Sequence, residues 1–580
     1  MKNIFVIISL VIFTANSISQ SLNLNAEINA GKLAKEAYST TSSTDFQHFI
    51  IYGQSLSTGH QSYPSLSVTN VAGNFMIGDQ VWINAGNTNF STFSPLIASL
   101  AKSDLTKPLS RNGGMAECPL VAAVNHIQTK AVVSSNILAT SAGTGGMTIE
   151  QLSKESQQAS KRYPDYLKTI TNASLIAKSK GYKITCPTII WMQGEYNYFE
   201  DTTRGLIAGQ SNCTDKLTYK NLLLLLKNNM QADLMTTYSQ TSKPLFITYQ
   251  TGAQYTRGKT LEIGMAQLEI ANENSDVFCA GPVYQMSDRG GHLDANGYRW
   301  YGEMIAKAYL KTINSGKKFQ PLQPKEIART SNPKEIKIKF SVPKLPLVLD
   351  ILTLKRVADF GFAVYNNDSK QTISSVSIDN DCVRIICSAD LTGNVEVVYA
   401  GLNTGNDNGH GNLRDSDDYP AINNYIDLDK KNTDGTYTYP RDATETTLHP
   451  IYEPSNQQGL IYDKPYPLYN FSVAFYYMLK SNQQIYTVPN VDNATGFGQS
   501  MKAGNTIQLY QSGKNLIVET LNEGNFNIEV YNVTGKLVDK FKGNTNGNIF
   551  RNQFSLSLSK GIYIVKATVA DEFNTLKVLL

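Results

Sequence analysis

Charge of one sign is what this chain lacks first: among 580 residues, 52 Lys and Arg face 48 Asp and Glu, leaving a net charge of only +4. No basic cluster stands out from that background, which excludes nucleic acid as a partner. Long hydrophobic runs are also missing, apart from Ile4 to Ala15 behind the charged start Met1-Lys2-Asn3. That run is too short to span a bilayer, and Ser17 and Ser19 offer a cleavage site before Gln20, so residues 1–19 read as a secretory signal peptide and the mature chain has no transmembrane segment. Metal-like cysteine spacings are absent. The six cysteines, Cys118, Cys186, Cys213, Cys279, Cys382 and Cys387, permit up to three disulfides in an exported chain, with buried free thiols as the alternative for Cys186 and Cys279 in their apolar runs. Cys382 and Cys387, five positions apart on one expected strand, point to opposite faces and do not pair with each other. No repeat of fixed period occurs, which excludes a solenoid or propeller.

What remains is a globular composition, 41% hydrophobic and 17% charged. At roughly 100 to 200 residues per domain the length predicts three domains. The Ser/Thr-rich run Ser39 to Thr44 makes residues 20–44 a linker. From 45 to 315, short apolar runs (Phe49 to Tyr52, Ser135 to Ser141, Thr188 to Met192, Leu245 to Tyr249, Val277 to Ala280) alternate with helix-compatible segments (Ala116 to Thr129, Pro164 to Lys180, Tyr219 to Met230, Gly264 to Asn272, Ala295 to Ile313). Strands alternating with helices predict a three-layer α/β sandwich with a parallel sheet. Pro321, Pro324 and Pro333 then read as a stiff connector into a β-sandwich over 335–485, interrupted by a long polar loop, 401–463. Residues 507–580 are again all β, with strands at Leu516 to Thr520, Phe526 to Tyr531, Lys536 to Phe541, Gly561 to Ala567 and Thr575 to Leu579.

Four blocks of the first domain carry chemistry. In Ile50-Ile51-Tyr52-Gly53-Gln54-Ser55 a buried strand stops abruptly and presents a hydroxyl where parallel sheets place their active sites. The second glycine of the α/β-hydrolase elbow is missing after Ser55. Ser141-Ala142-Gly143-Thr144-Gly145-Gly146 follows another strand, and its glycines allow backbone N–H groups close to a ligand or merely make a turn. In Trp191-Met192-Gln193-Gly194-Glu195 the Gln193 amide can donate to a developing oxyanion or satisfy loop backbone, and Glu195 suits an ion pair, a helix cap or a proton relay. Of six histidines only His292, in Ser287-Asp288-Arg289-Gly290-Gly291-His292-Leu293-Asp294, combines nearby carboxylates with a loop before an amphipathic helix. A histidine there can take a serine proton and hand it to a leaving group.

Together, in this order, the blocks resemble the SGNH-hydrolase superfamily over Asp45 to Ile313, and within it the acetylxylan and sialate O-acetylesterase-like carbohydrate esterases. The resemblance implies a flavodoxin-like sandwich and hydrolysis of O-acetyl esters on a poly- or oligosaccharide, with neither cofactor nor metal. It implies Ser55 as nucleophile, His292 as base, and an oxyanion hole of the Ser55 N–H, an N–H of Gly145 or Gly146, and the Gln193 side chain. The family's acid stands three residues before the histidine, where this chain has Arg289; Asp288 is the acid expected here, with Glu195 and Asp294 as alternatives, or a dyad supported by a backbone carbonyl. Gln54 and His60 are possible substrate contacts bordering the pocket, with a plain surface role as the equal alternative for His60.

Gly409 to Asp418 in the long loop offers carboxylates and glycines for sugar or calcium, but its spacing matches no EF-hand and a solvated loop is the expectation. Ile528 to Val538, Leu558 to Lys566 and the terminal Lys577-Val578-Leu579-Leu580 resemble the type IX secretion C-terminal sorting domain of Bacteroidetes. That resemblance implies the type IX machinery as a partner, passage through periplasm and outer membrane, and a secreted or surface location. The function expected is therefore an exported carbohydrate O-acetylesterase; the alternative is a catalytically inactive sugar-binding or adhesion protein on the same scaffold.

Overall fold

The computed structural model describes residues 45–83, 89–105, 114–131, 135–198, 204–206, 211–252, 258–288, 291–315, 317–401, 409–439, 462–491, 507–512, 515–520, 524–532, 535–545, 550–559, 561–569 and 572–579. The expected signal peptide and linker, 1–44, lie outside them, as do Arg289 and Gly290. The chain divides into two compact units, Met1–Gly496 and Phe497–Leu580. The architecture is mixed α/β, with a parallel-rich central sheet and further antiparallel sheets.

In chain order the first sheet and its helices are β1 (Phe46–Gly53), α1 (Ser55–Thr58), β2 (Asn74–Ile77), β3 (Phe93–Pro95), α2 (Pro119–Lys130), β4 (Asn136–Ser141), α3 (Ile149–Leu152), α4 (Tyr163–Ser179), β5 (Ile184–Thr185), β6 (Thr188–Met192), α5 (Lys216–Tyr238), β7 (Leu245–Gln250), α6 (Glu262–Glu273), β8 (Val277–Pro282) and α7 (Ala295–Ser315). The eight strands lie in the order β3-β2-β4-β1-β6-β7-β8, with β5 paired to β1. All pairings are parallel except β2 with β3. Every residue of β1 is buried, as a strand covered on both faces requires. Its side chains alternate between two cores: Phe49 and Ile51 pack with α2 and α7, and Ile50 and Tyr52 pack with α4, α5 and α6. The helices follow local signals, including Pro119 in the first turn of α2 and the Asp215 carboxylate accepting from Thr218 N at 2.9 Å before α5.

Beyond this sheet, Ile373–Asp379, Cys382–Cys387, Glu335–Ser341, Gln323–Arg329 and Ile485–Thr487 form one antiparallel sheet, and Ser369–Lys370, Phe362–Asn366, Val395–Tyr399 and Phe475–Leu479 another. They share an apolar core that includes Ile336, Ile338, Val364, Val383, Val397 and Phe475. The expected stiff connector is in part a strand. Pro324 is accommodated because the ladder to Glu335–Ser341 shifts register beside its partner Phe340, while Ile485–Thr487 pairs only with Glu326 to Ala328.

The long loop is not simply solvated. Asp415 is fully buried and Asp417 nearly so. The Asn470 N–H donates to Asp415 at 2.9 Å, and Lys307 Nζ lies 3.4 Å from the Asp417 carboxylate, so these acids are committed to protein partners rather than to calcium. Residues 422–426 and 466–470 run along α7. Glu303 accepts from the N–H groups of Ile422 (2.8 Å) and Asn423 (2.9 Å), and from His126 Nδ1 at 2.8 Å; Trp300 stacks on Tyr466 at 6.0 Å. All six cysteines are free, so no disulfide forms. Among the described residues no helix is long and apolar enough to cross a membrane.

The C-terminal unit pairs Ile507–Ser512, Asn515–Thr520 and Phe550–Ser555 in one sheet and Leu537–Thr545, Gly524–Asn532, Ile562–Val569 and Glu572–Leu579 in another. Leu516, Val518, Ile528, Val530, Val565 and Val578 form its core.

The α2–α7 crossing is close because position 302 has no side chain: a Cβ there would meet the Pro119 carbonyl and come within 2.8 Å of Ala122 Cβ. Gly302→Ala is expected to destabilise the first unit by about 1–3 kcal/mol through overpacking, read as a lower denaturant midpoint at unchanged slope.

Candidate active site

Gly53 ends β1 at φ +151°, and a Cβ on it would collide with the Met192 carbonyl of β6. The two strands therefore close together at their C-terminal ends, where Gln54 N donates to Met192 O at 2.9 Å. The Gln54 side chain spans the same gap: its Oε1 accepts from Gly194 N (3.1 Å) and Tyr196 N (3.0 Å). Through Oε1, Gln54 thus ties the two strand ends together. Ser55 opens α1, whose four residues are fastened by Ser57 Oγ to Gln54 O (2.6 Å) and Thr58 Oγ1 to Ser55 O (2.8 Å).

From the other side, the loop after β8 delivers His292. Its Nε2 lies 2.7 Å from Ser55 Oγ. The partner of its Nδ1 is Gln61 Oε1 at 2.9 Å, the position where Asp288 was expected. Burial, reinforced by the neighbouring His60 ring, holds the imidazole pKa down to about 4. His60, itself partly exposed, packs edge-on against His292, ring centroids 4.7 Å apart.

The expected acids have other surroundings. Asp294 caps α7, its Oδ1 accepting from Gly297 N and Ser287 Oγ, both at 2.7 Å. The Glu195 carboxylate accepts from Tyr249 OH and, at 3.1 Å, from Gly252 N, and burial raises its pKa. Asp288 is buried and lines, with Glu195, Leu56, Gly291 and Gly409, a cavity of roughly 10 Å³, room for about one water.

The glycine block lies against the serine. Thr144 N donates to Gly53 O at 2.9 Å, and a methyl on Gly145 would be 3.7 Å from Ser55 Cβ. Gly146, at φ +67°, turns the chain away. Gln193 is fully buried and its amide is engaged: Nε2 donates to Asn197 Oδ1 (2.6 Å) and Met147 O (3.2 Å), and Oε1 accepts from Tyr219 OH (2.8 Å). Sequence reasoning missed Asn197, which also accepts from Ile149 N at 2.9 Å and so ties the start of α3 to the turn after β6. It missed Gln61 as well, although the adjacent His60 had drawn attention to that turn. Gly145, Gly146, Met147, Gln151, Tyr196 and Arg204 line an open cleft of about 430 Å³ beside the serine. Arg204 sits over the Tyr196 ring at 4.9 Å. Among the described residues no group of three or more His, Cys, Asp or Glu is placed to hold a metal ion.

Residues 512–580 match the family of secretion system C-terminal sorting domains. The domain marks type IX export, and the protein is delivered to the cell surface or extracellular space. Among solved structures, the chain is similar to a carbohydrate acetylesterase from Xanthomonas citri, at 15% identity over 63% of this chain and 77% of that one, TM-score 0.42. It is also similar to an Arabidopsis thaliana protein at 15% identity over 46% and 98%, TM-score 0.32. NanS is a third, at 10% identity over 47% and 99%, TM-score 0.35. No curated protein sequence matches the chain.

Removing the Gln193 amide would leave Asn197, Met147 and Tyr219 with lost partners inside the protein. Gln193→Ala is expected to lower unfolding free energy by about 1–3 kcal/mol in a denaturant titration. A variant that keeps its stability and loses only turnover would assign the amide to the reaction instead.

Proposed function

We propose that the protein is an exported serine esterase of SGNH type that removes O-acetyl groups from carbohydrates through an acyl-enzyme. In this reading residues 45–315 form the catalytic domain, 335–485 an accessory β-sandwich and 507–580 the sorting domain. The observation that carries the reading is the 2.7 Å contact of Ser55 Oγ with His292 Nε2 at the C-terminal end of β1. Neutral His292 takes the serine proton as Oγ bonds to the acetyl carbonyl carbon. The carbonyl oxygen becomes an anion facing the Ser55 N–H and an N–H of Gly145 or Gly146. Collapse breaks the bond to the sugar oxygen, which takes the proton from His292. Water then repeats the sequence and releases acetate. Gln193 supports this hole by bracing the glycine block through Asn197 and Met147.

The neighbouring cleft, about 430 Å³, falls in the size range of small-ligand sites. Gln151, Gln158, Ser160 and Tyr196 on its walls suit hydroxyl groups. A polar cleft rather than a deep apolar channel favours a short acyl group on a hydroxylated carrier over a long-chain ester.

Acetate release from p-nitrophenyl acetate and acetylated xylan is expected, and Ser55→Ala should reduce it by at least about 1,000-fold. Failure of the unaltered chain to release acetate from any acetylated glycan would favour the inactive sugar-binding alternative. Because the base works only when neutral and its pKa is lowered to about 4, kcat/KM should hold as pH falls through 6 and drop only near 4. An acidic limb near the ordinary histidine value of about 6.5 would contradict this environment for His292.

A further inference from the structure

The group that orients a catalytic histidine is ordinarily a carboxylate, and the sequence offered Asp288, Asp294 and the distant Glu195. The structure puts an amide there instead. Gln61 Oε1 is 2.9 Å from His292 Nδ1, while Asp294 is engaged by α7 and Glu195 by Tyr249 and Gly252.

Gln61 is held in an unusual backbone state to make this contact. Its φ is +63°, in the left-handed region that L residues with a side chain rarely adopt. Such a conformation persists where the surroundings over-determine it, and here they do. Ser62 N donates to Gly114 O at 3.0 Å, and Ser62 Oγ accepts from Ala116 N at 2.8 Å and donates to Gly59 O at 2.5 Å. One residue before Gln61, His60 N donates to Ser55 O at 3.3 Å and His60 O accepts from Tyr298 OH at 2.9 Å. The turn is thereby clamped between the nucleophile's helix, the segment before α2, and α7.

The polarity of the contact matters. An imidazole that is to accept a proton at Nε2 must carry its hydrogen on Nδ1, and an amide oxygen accepts that hydrogen while an amide nitrogen would not. We propose that Gln61 is the positioning residue of this site, fixing the His292 tautomer and ring plane through Nδ1–H···Oε1 in place of a triad acid, so that the working unit is Ser55–His292–Gln61. This rests on the esterase reading above. An amide as third member is chemically adequate, as the Cys-His-Asn arrangement of papain-like proteases demonstrates.

A neutral third member has a consequence that a structural glutamine would not. The other titratable groups near the ring are His60 against its edge, Asp288 and Glu195 across the small cavity bounded by Gly291 and Leu293, and Asp294 at the start of α7. None of them supplies an anion at Nδ1, so a carboxylate introduced there should stabilise the imidazolium and raise its pKa by about one to three units.

The experiment compares acetate release by the full chain and by Gln61→Ala, Gln61→Glu, Asp288→Asn and Ser55→Ala across pH 3 to about 9. Gln61→Ala is expected to lose on the order of 100-fold in kcat with KM little changed, as a misaligned base does. Gln61→Glu should keep most of its turnover at pH 8 and move the acidic limb upward by about one to three pH units. Asp288→Asn should leave the limb in place. The inference is overturned if Gln61→Ala retains full kcat, if Gln61→Glu does not move the limb, or if Asp288→Asn causes the loss assigned to Gln61. Activity surviving in Ser55→Ala would instead overturn the esterase reading itself, whatever the Gln61 variants do.

Discussion

The placement of Ser55 follows from how tightly β1 and β6 approach each other at their C-terminal ends. Gly53 can lie over the Met192 carbonyl only because it has no Cβ. With the strands that close, one side chain, Gln54, reaches both Gly194 and Tyr196, and the chain must turn at once into α1. Ser55 is therefore placed by the sheet rather than by its own loop. The glycine block is drawn to the same point through Thr144 N to Gly53 O. The N–H of Ser55 and the glycine block thus hang from adjacent strand ends, where the rigidity of a parallel sheet does the positioning.

The histidine arrives from further away and needs separate support. Its loop leads into α7, and α7 is held on its outer side by 422–426 and 466–470 through Glu303, Asn296, Trp300 and Lys307. The buried His126–Glu303 pair shows that a histidine with a carboxylate is not by itself a catalytic signature: here it fastens a loop to a helix. By covering α7, the long polar segment lets the helix be buried along almost its whole length, and the His292 loop starts from a fixed anchor. The segment's contribution is to hold the frame.

The sequence spelled out the parallel strands well, and for a physical reason. Strands covered on both faces are continuous apolar runs, and Thr188–Met192 was legible to the residue. Three of the four blocks were legible because each is a strand end running into glycine, and the fourth because it is a loop that leads into a helix. Less visible was anything that depends on a partner distant in sequence. The antiparallel edge β2–β3 is short and partly exposed, and Gln323–Arg329 hides behind a proline that its ladder tolerates only at a register shift. Gln193 looked like an oxyanion donor because its amide can donate, but Asn197 and Met147 already take that hydrogen-bonding capacity. Asp294 looked like a possible acid, but its distance to Gly297 along the chain is that of a helix cap.

The departure at Arg289 weighs differently once Nδ1 is considered. A carboxylate three residues before a histidine shares its loop, so histidine and acid must be aligned by the same short backbone stretch. Here the group on Nδ1 lies six residues after the serine, in a turn tied to Gly114, Ala116 and Tyr298. Ser55 and the group on Nδ1 thus come from one segment, and the loop has to supply only the imidazole. With an amide rather than a carboxylate on Nδ1, nothing there offsets the burial and the neighbouring His60 ring that lower the pKa of the imidazole.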